Sequence, residues 1–163
     1  MSTGCIVVGG GPAGMMLGLL LARAGVPVTV MEKHADFLRD FRGDTVHAST
    51  LRLLDELGLG ERFAAIPHRL IESLRLSVQG VPVEVDLRHL PGDHRHIALV
   101  PQWDFLALLA QAAEGEPTFT LLRNCEVLEP LRTGSTVTGV RYRDADGIER
   151  ELQAPLTVAC DGR

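Results

Sequence analysis

The stretch CIVVGGGPAGMMLGLLLARAGVPVTVME, Cys5 to Glu32, decides the fold. Cys5–Val8 is an apolar run long enough for a buried parallel strand and too short for a helix. Gly9, Gly11 and Gly14 follow in the spacing G-x-G-x-x-G, and an apolar helix runs on to about Ala24. Val26–Met31 reads as a second strand ending at Glu32. This is a βαβ unit carrying a dinucleotide fingerprint in the context the fingerprint needs.

Each position has a mechanical role. Gly9 permits the tight strand-to-helix turn, Gly11 keeps side chains away from a pyrophosphate, and Gly14 brings the helix close to the sheet. Gly18, one turn on, extends that close face, and Gly25 stands where a glycine ends a helix. Pro12 falls in the first turn, where its missing N–H is harmless. The helix N-terminus is then an anion site. Glu32 ends the second strand, where a carboxylate accepts hydrogen bonds from ribose hydroxyls and repels a 2′-phosphate. The expected dinucleotide is FAD or NAD rather than NADP.

The 163 residues suffice for one domain with a sizeable core, and 45% hydrophobic with 23% charged residues is an ordinary globular balance. A net charge of −5 gives no footprint for nucleic acid and no basic membrane patch. Cys5, Cys125 and Cys160 lie far apart in predicted strands and read as buried, reduced thiols of a cytoplasmic protein, with no metal spacing. The uncharged residues 5–22 lack the basic flank and cleavage site of a signal peptide, and glycines interrupt them.

Beyond Glu32, Lys33–Asp44 is expected as a loop, followed by a helix capped by Thr45 or Ser49 with Val46, Leu51, Leu54 and Leu57 on one face. Arg42, just before that helix, is either a solvated loop arginine or a bidentate phosphate ligand. Leu70–Asp86 alternates as a β-hairpin turning at Gly80, and Arg88–Arg95 is a turn-rich loop. His94 and His96 there lack a third spaced ligand, so a solvated loop or a site rim is expected rather than a metal. Ile97–Val100 is a strand, and Pro101 opens a helix over Gln102–Ala113. Gln102 is either a ligand-contacting amide or a simple helix start. Thr118–Leu122 is a strand, Glu126–Leu131, Thr136–Tyr142 and Glu149–Gln153 an antiparallel meander, and Leu156–Cys160 a last strand before Asp161 and Gly162.

With these motifs in this order, the sequence resembles the N-terminal part of the class A flavoprotein monooxygenases, the family typified by para-hydroxybenzoate hydroxylase. VVGGGPAGMMLGLLLARAGVPVTVMEK matches that family's first FAD fingerprint, Arg42 its arginine near the FAD pyrophosphate, and Gln102 in VPQWDFLALLAQAA its FAD-contacting helix start. ACDG at 159–162 matches its Asp-Gly motif, with Asp161 near the FAD pyrophosphate and the NAD(P)H approach. The resemblance implies a cofactor-binding set of Gly9, Gly11, Pro12, Ala13, Gly14, Glu32, Lys33, Arg42, Gln102 and Asp161.

It implies an α/β, Rossmann-like FAD/NAD(P)-binding fold, a parallel sheet with a three-stranded meander. Residues 1–69 and 97–163 would form the FAD-binding domain, and 70–96 would begin an inserted β-rich substrate domain. It also implies hydroxylation of an aromatic or polyketide-like small molecule with NAD(P)H and O2, through a flavin C4a-hydroperoxide. The family continues past its Asp-Gly motif to a later Gly-Asp motif, which neither Gly43-Asp44 nor Gly92-Asp93 replaces, so this chain is expected to be a piece of a longer one. A halogenase or reductase of the same fold, or a non-catalytic dinucleotide-binding fragment, are the alternatives.

Overall fold

The computed structural model describes residues 3–37 and 43–162, the side chains of 43 and 44 excepted. Its strands are β1 (Cys5–Val8), β2 (Val28–Met31), β3 (Gly43–Val46), β4 (Arg69–Ile71), β5 (Ser73–Val78), β6 (Val81–Asp86), β7 (Ile97–Pro101), β8 (Phe119–Leu122), β9 (Glu126–Thr133), β10 (Thr136–Arg143), β11 (Glu149–Gln153) and β12 (Leu156–Ala159). The helices are α1 (Pro12–Arg23), α2 (Ala48–Glu56), α3 (Gly60–Ala64) and α4 (Gln102–Glu114). The chain divides into two compact units, Met1–Leu38 with Leu106–Arg163, and Arg39–Phe105.

The first unit is built on a parallel sheet in the order β12-β1-β2-β8. Continuous apolar strands suit a sheet covered on both faces, and β1 and β2 are almost wholly buried. α1 places Met15 and Leu19, both with no exposed surface, in this core. Its close approach to the sheet is made at Gly18, where a Cβ would stand 2.6 Å from Val30 Cγ2 and 2.9 Å from a Phe119 ring carbon. The helix ends in a Schellman turn: Gly25 N–H donates to the Ala22 carbonyl at 2.9 Å and Val26 N–H to that of Leu21 at 3.0 Å, with Gly25 at φ +76°. Val26 is thereby spent on the helix cap, and β2 starts at Val28 instead of Val26.

The expected meander is present as β11-β10-β9. One face of it, through Val140 and Tyr142, packs on Ile6 and Met31 of the parallel sheet together with Cys125 and Ala154. The alternate residues of β10 carry charge. Arg141 faces Glu129 at 2.8 Å and Glu151 at 3.5 Å, and Arg143 faces Glu126 at 3.1 Å and Glu149 at 3.6 Å. Opposite charges directly across the ladder favour this register over a slip of one residue, which would bury them.

In the second unit β7 is flanked antiparallel by β3 and β4, and β5 and β6 form the expected hairpin from Ser73 on, turning at Gln79 and Gly80, whereas Leu70 and Ile71 pair with β7 instead. Here the local reading of the sequence needs correction. Thr45 and Val46 are strand residues paired with Leu99 and Ala98, not a helix cap and a helix-face residue. The N-cap of α2 is His47, with no side-chain hydrogen bond, and Ser49 lies inside the helix. Leu51 and Leu54 are buried on α2 as expected, and Leu57 is its C-cap. The three cysteines are free; Cys125 precedes β9 and the half-buried Cys160 follows β12, so neither is a strand residue. No helix among the described residues is long and apolar enough to cross a membrane.

Candidate functional site

The carboxyl ends of parallel strands are where an open α/β sheet binds ligands. At that edge of the first unit, backbone bonds lace the loops together. Gly9 N–H reaches the Met31 carbonyl at 2.8 Å, Glu32 N–H that of Leu122 at 2.8 Å, and Cys160 N–H that of Val8 at 2.7 Å.

The glycines at this edge do different work. Gly9 sits at φ +107°, and a Cβ there would meet the Cys160 carbonyl oxygen at 2.5 Å. A Cβ on Gly14 would stand 1.9 Å from the Gly9 carbonyl oxygen, so Gly14 serves the loop, and contact with the sheet falls to Gly18. At Gly11 a Cβ would meet nothing within 4 Å. That open space lies at the N-cap of α1, where Gly11 holds an extended φ of −73° and ψ of −178°. The first intrahelical bond is Met15 N–H to the Gly11 carbonyl at 2.9 Å, which leaves the amides of Ala13 and Gly14 without an acceptor inside the helix. Pro12 has no amide to offer, and no acidic residue occupies the first turn to compete for the positive dipole end.

Glu32 is 3% exposed. Its Oε2 accepts from Gly10 N–H at 2.9 Å, and its Oε1 from His34 N–H at 2.9 Å. His34 Nδ1 lies 2.6 Å from the same Oε1 and, against a carboxylate, is the donor. A buried charge needs such donors, and a carboxylate has lone pairs for more. Glu32 is thus oriented by the loop it joins. Glu32→Ala is expected to destabilise the protein as well as alter the site, because the Gly10 and His34 donors lose a charged acceptor worth about 1.5–3 kcal/mol. At roughly 2–4 °C per kcal/mol the melting temperature falls by several degrees, with Glu32→Gln recovering part of the loss. A Glu32→Ala protein melting at the wild-type temperature contradicts this reading.

Residues 2–163 match the model of the family described as FAD binding domain. The chain belongs to the FAD-binding domain family. It is similar to 6-methylpretetramide 4-monooxygenase of Streptomyces rimosus, 34% identical over 163 residues, which are 99% of this chain and 38% of that protein. Among solved structures it resembles the OxyS anhydrotetracycline hydroxylase of Streptomyces rimosus, with a TM-score of 0.85 and 30% identity over 99% of this chain and 32% of that one. The myxobacterial chondrochloren halogenase CndH, an FAD-dependent enzyme, gives a TM-score of 0.85 at 24% identity, covering 99% of this chain and 37% of that one, a likeness of fold alone. The chain therefore spans about a third to two fifths of the length of these relatives.

Membership of the FAD-binding domain family resolves the dinucleotide left open by Glu32: it is FAD. Of the expected cofactor set, the structure brings Gly9, Gly11, Pro12, Ala13, Gly14 and Glu32 together in the first unit, with the exposed Lys33 next in chain. Asp161 joins them through its backbone, since a Cβ on Gly9 would stand 2.9 Å from Asp161 N. Gln102 opens α4 in the second unit, and Arg42 lies outside the described residues.

Sequence reasoning missed Gly10 and His34, the partners of Glu32, and it missed the segment after β8. There Cys125 N–H donates to the Glu32 carbonyl at 2.9 Å, Asn124 N–H to that of His34 at 3.3 Å, and the Arg123 guanidinium lies 4.4 Å from the centroid of the Phe37 ring. No sequence signal marks them: Leu122 is registered with Met31 only in the folded sheet, and that pairing sets its successors beside Glu32 and His34.

In the second unit, His94 and His96 line an apolar cavity of about 220 Å³ with His68, Phe63 and Leu54. His94 Nε2 lies 2.6 Å from Asp55 Oδ2. Burial, and then the neighbouring His94, hold the His96 imidazole below its ordinary pKa. Among the described residues no cluster of His, Cys, Asp or Glu is arranged to hold a metal ion.

Proposed function

We propose that this chain is the FAD-binding part of a flavoprotein monooxygenase that consumes NAD(P)H and O2 to hydroxylate an aromatic or polyketide-like small molecule. The observation that carries the reading is the 34% identity to 6-methylpretetramide 4-monooxygenase over 99% of the chain.

The residues fit the cofactor. The open space at Gly11 admits a pyrophosphate to the Ala13 and Gly14 amides, and the dipole end of α1 favours its charge. Gly9 and Gly14 keep that loop tight, and Pro12 presets the first helical turn. Glu32 accepts the ribose hydroxyls; its orientation by Gly10 and His34 lowers the ordering cost of that contact. Lys33, Arg42 and Gln102 complete the cofactor set, and Asp161 stands beside the loop. Residues 70–96 begin the substrate domain. FAD, when bound, supplies the redox chemistry; these residues bind and orient it.

The test uses the whole protein, purified and assayed against a panel of phenolic and polyketide-like compounds. A bound flavin absorption band, with NAD(P)H oxidation and O2 uptake both stimulated by one of these compounds, is the expected result. Turnover that depends on halide, or NAD(P)H oxidation without any substrate-stimulated O2 uptake, contradicts it.

A further inference from the structure

Three strand ends stand side by side at the ligand edge of the first unit, in the order β1, β2, β8. The end of β1 carries the glycine loop, the end of β2 carries Glu32, and the end of β8 carries Arg123. Glu32 is bonded to Gly10 on one side, and its backbone carbonyl to Cys125 N–H on the other. Diphosphate, ribose and base follow one another in the same order along a nucleotide.

Arg123 is built for the third place. Its guanidinium lies 4.4 Å from the centroid of the Phe37 ring, and Phe37 is itself buried. The arginine is half-buried, yet among the described residues it makes no hydrogen bond or ion pair. Its N–H donors are therefore left for water or for a ligand. Asn124 takes the left-handed φ of +54°, and its N–H is tied to the His34 carbonyl, which fixes the backbone next to the arginine. A guanidinium is planar and stacks on aromatic faces, and an ammonium does not. With one face against Phe37, the second face and the N–H edge of a guanidinium suit a flat, nitrogen-rich heterocycle.

We propose that Arg123, backed by Phe37, is the stacking surface for the adenine ring of the dinucleotide whose ribose meets Glu32. The proposal rests on the FAD reading above and adds to it a residue that selects the base. Arg123 is a positioning residue and takes no part in oxygen chemistry.

Isothermal titration with FAD, ADP and inorganic pyrophosphate, on wild type, Arg123→Ala and Arg123→Lys, tests it, with circular dichroism to verify folding. Loss of the stack is expected to weaken FAD and ADP about tenfold in both variants and to leave pyrophosphate unchanged. Full recovery by Arg123→Lys means that charge alone matters and overturns the stacking role. An equal loss for pyrophosphate assigns Arg123 to the phosphates and overturns it as well. Unchanged ADP affinity in Arg123→Ala overturns the proposal and leaves the FAD reading standing, whereas wild type that binds neither FAD nor ADP overturns both. Should Arg123→Ala not fold, Arg123→Lys alone decides, because it keeps the charge and removes the plane.

Discussion

Gly14→Ala is expected to cost this protein a large part of its folding stability. The new methyl carbon would stand 1.9 Å from the Gly9 carbonyl oxygen and 3.3 Å from the Cys160 Cβ. The first of these is backbone, held by the Gly9 N–H bond to the Met31 carbonyl at 2.8 Å, and no rotamer change relieves it. The helix would have to lift, and Met15 and Leu19, both fully buried, would lose their packing with it. Overpacking a core by one methyl usually costs about 1–3 kcal/mol, and a clash with fixed backbone belongs at or above the top of that range. Set against a typical total of roughly 5–15 kcal/mol, that is a large fraction. With a denaturant slope of roughly 1–3 kcal/mol per molar, the urea midpoint should fall by about 1 M or more, or the variant should be recovered insoluble. A wild-type midpoint would show that the loop yields in a way this packing does not allow.

Gly11→Val, three residues earlier, is expected to fail in the opposite manner. A Cβ at Gly11 meets nothing within 4 Å, and its φ of −73° with ψ of −178° is extended backbone that valine adopts readily. Valine is a poor N-cap, a cost of about 1 kcal/mol at most, so folding survives. The isopropyl group would occupy the space in front of the Ala13 and Gly14 amides. FAD affinity should then drop by about a hundredfold or more, the equivalent of roughly 3 kcal/mol. A folded Gly11→Val protein that retains FAD at wild-type affinity would remove the glycine loop from the cofactor site. The pair of variants separates a glycine needed by the fold from a glycine needed by the ligand.

The sequence was legible where one period and its punctuation agreed. In Cys5–Glu32 the apolar run, Pro12 and Gly25 all mark the same boundaries, and the structure departs only at Val26, which the helix cap takes, and Pro27 beside it. The meander was legible because alternation and turn residues coincide, with Gly134 and Gly147 both at positive φ. β3 and β4 were not legible. β4 is three residues long, and β3 holds polar Asp44 and Thr45, so each is a strand only because β7 supplies its hydrogen bonds. Thr45 illustrates the competition: its side chain suits a helix cap, and ladder pairing with Leu99 wins.

The candidate site divides in the same way. The glycines and Glu32 announce themselves by spacing along one contiguous unit. His34 was hidden because its role is to hold Glu32, which no motif records. Arg123 was hidden because nothing local to residue 123 indicates that β8 lies beside β2, and the parallel register Met31 with Leu122 is a product of folding.

Titration of the wild-type chain with FAD and with ADP, followed by flavin fluorescence and by calorimetry, tests the central claim most directly. Saturable binding of both at one site per chain, with ADP displacing FAD, is the predicted result. A folded chain that binds neither, or that binds FAD without competition from ADP, would contradict an ADP-half site at Gly9–Glu32.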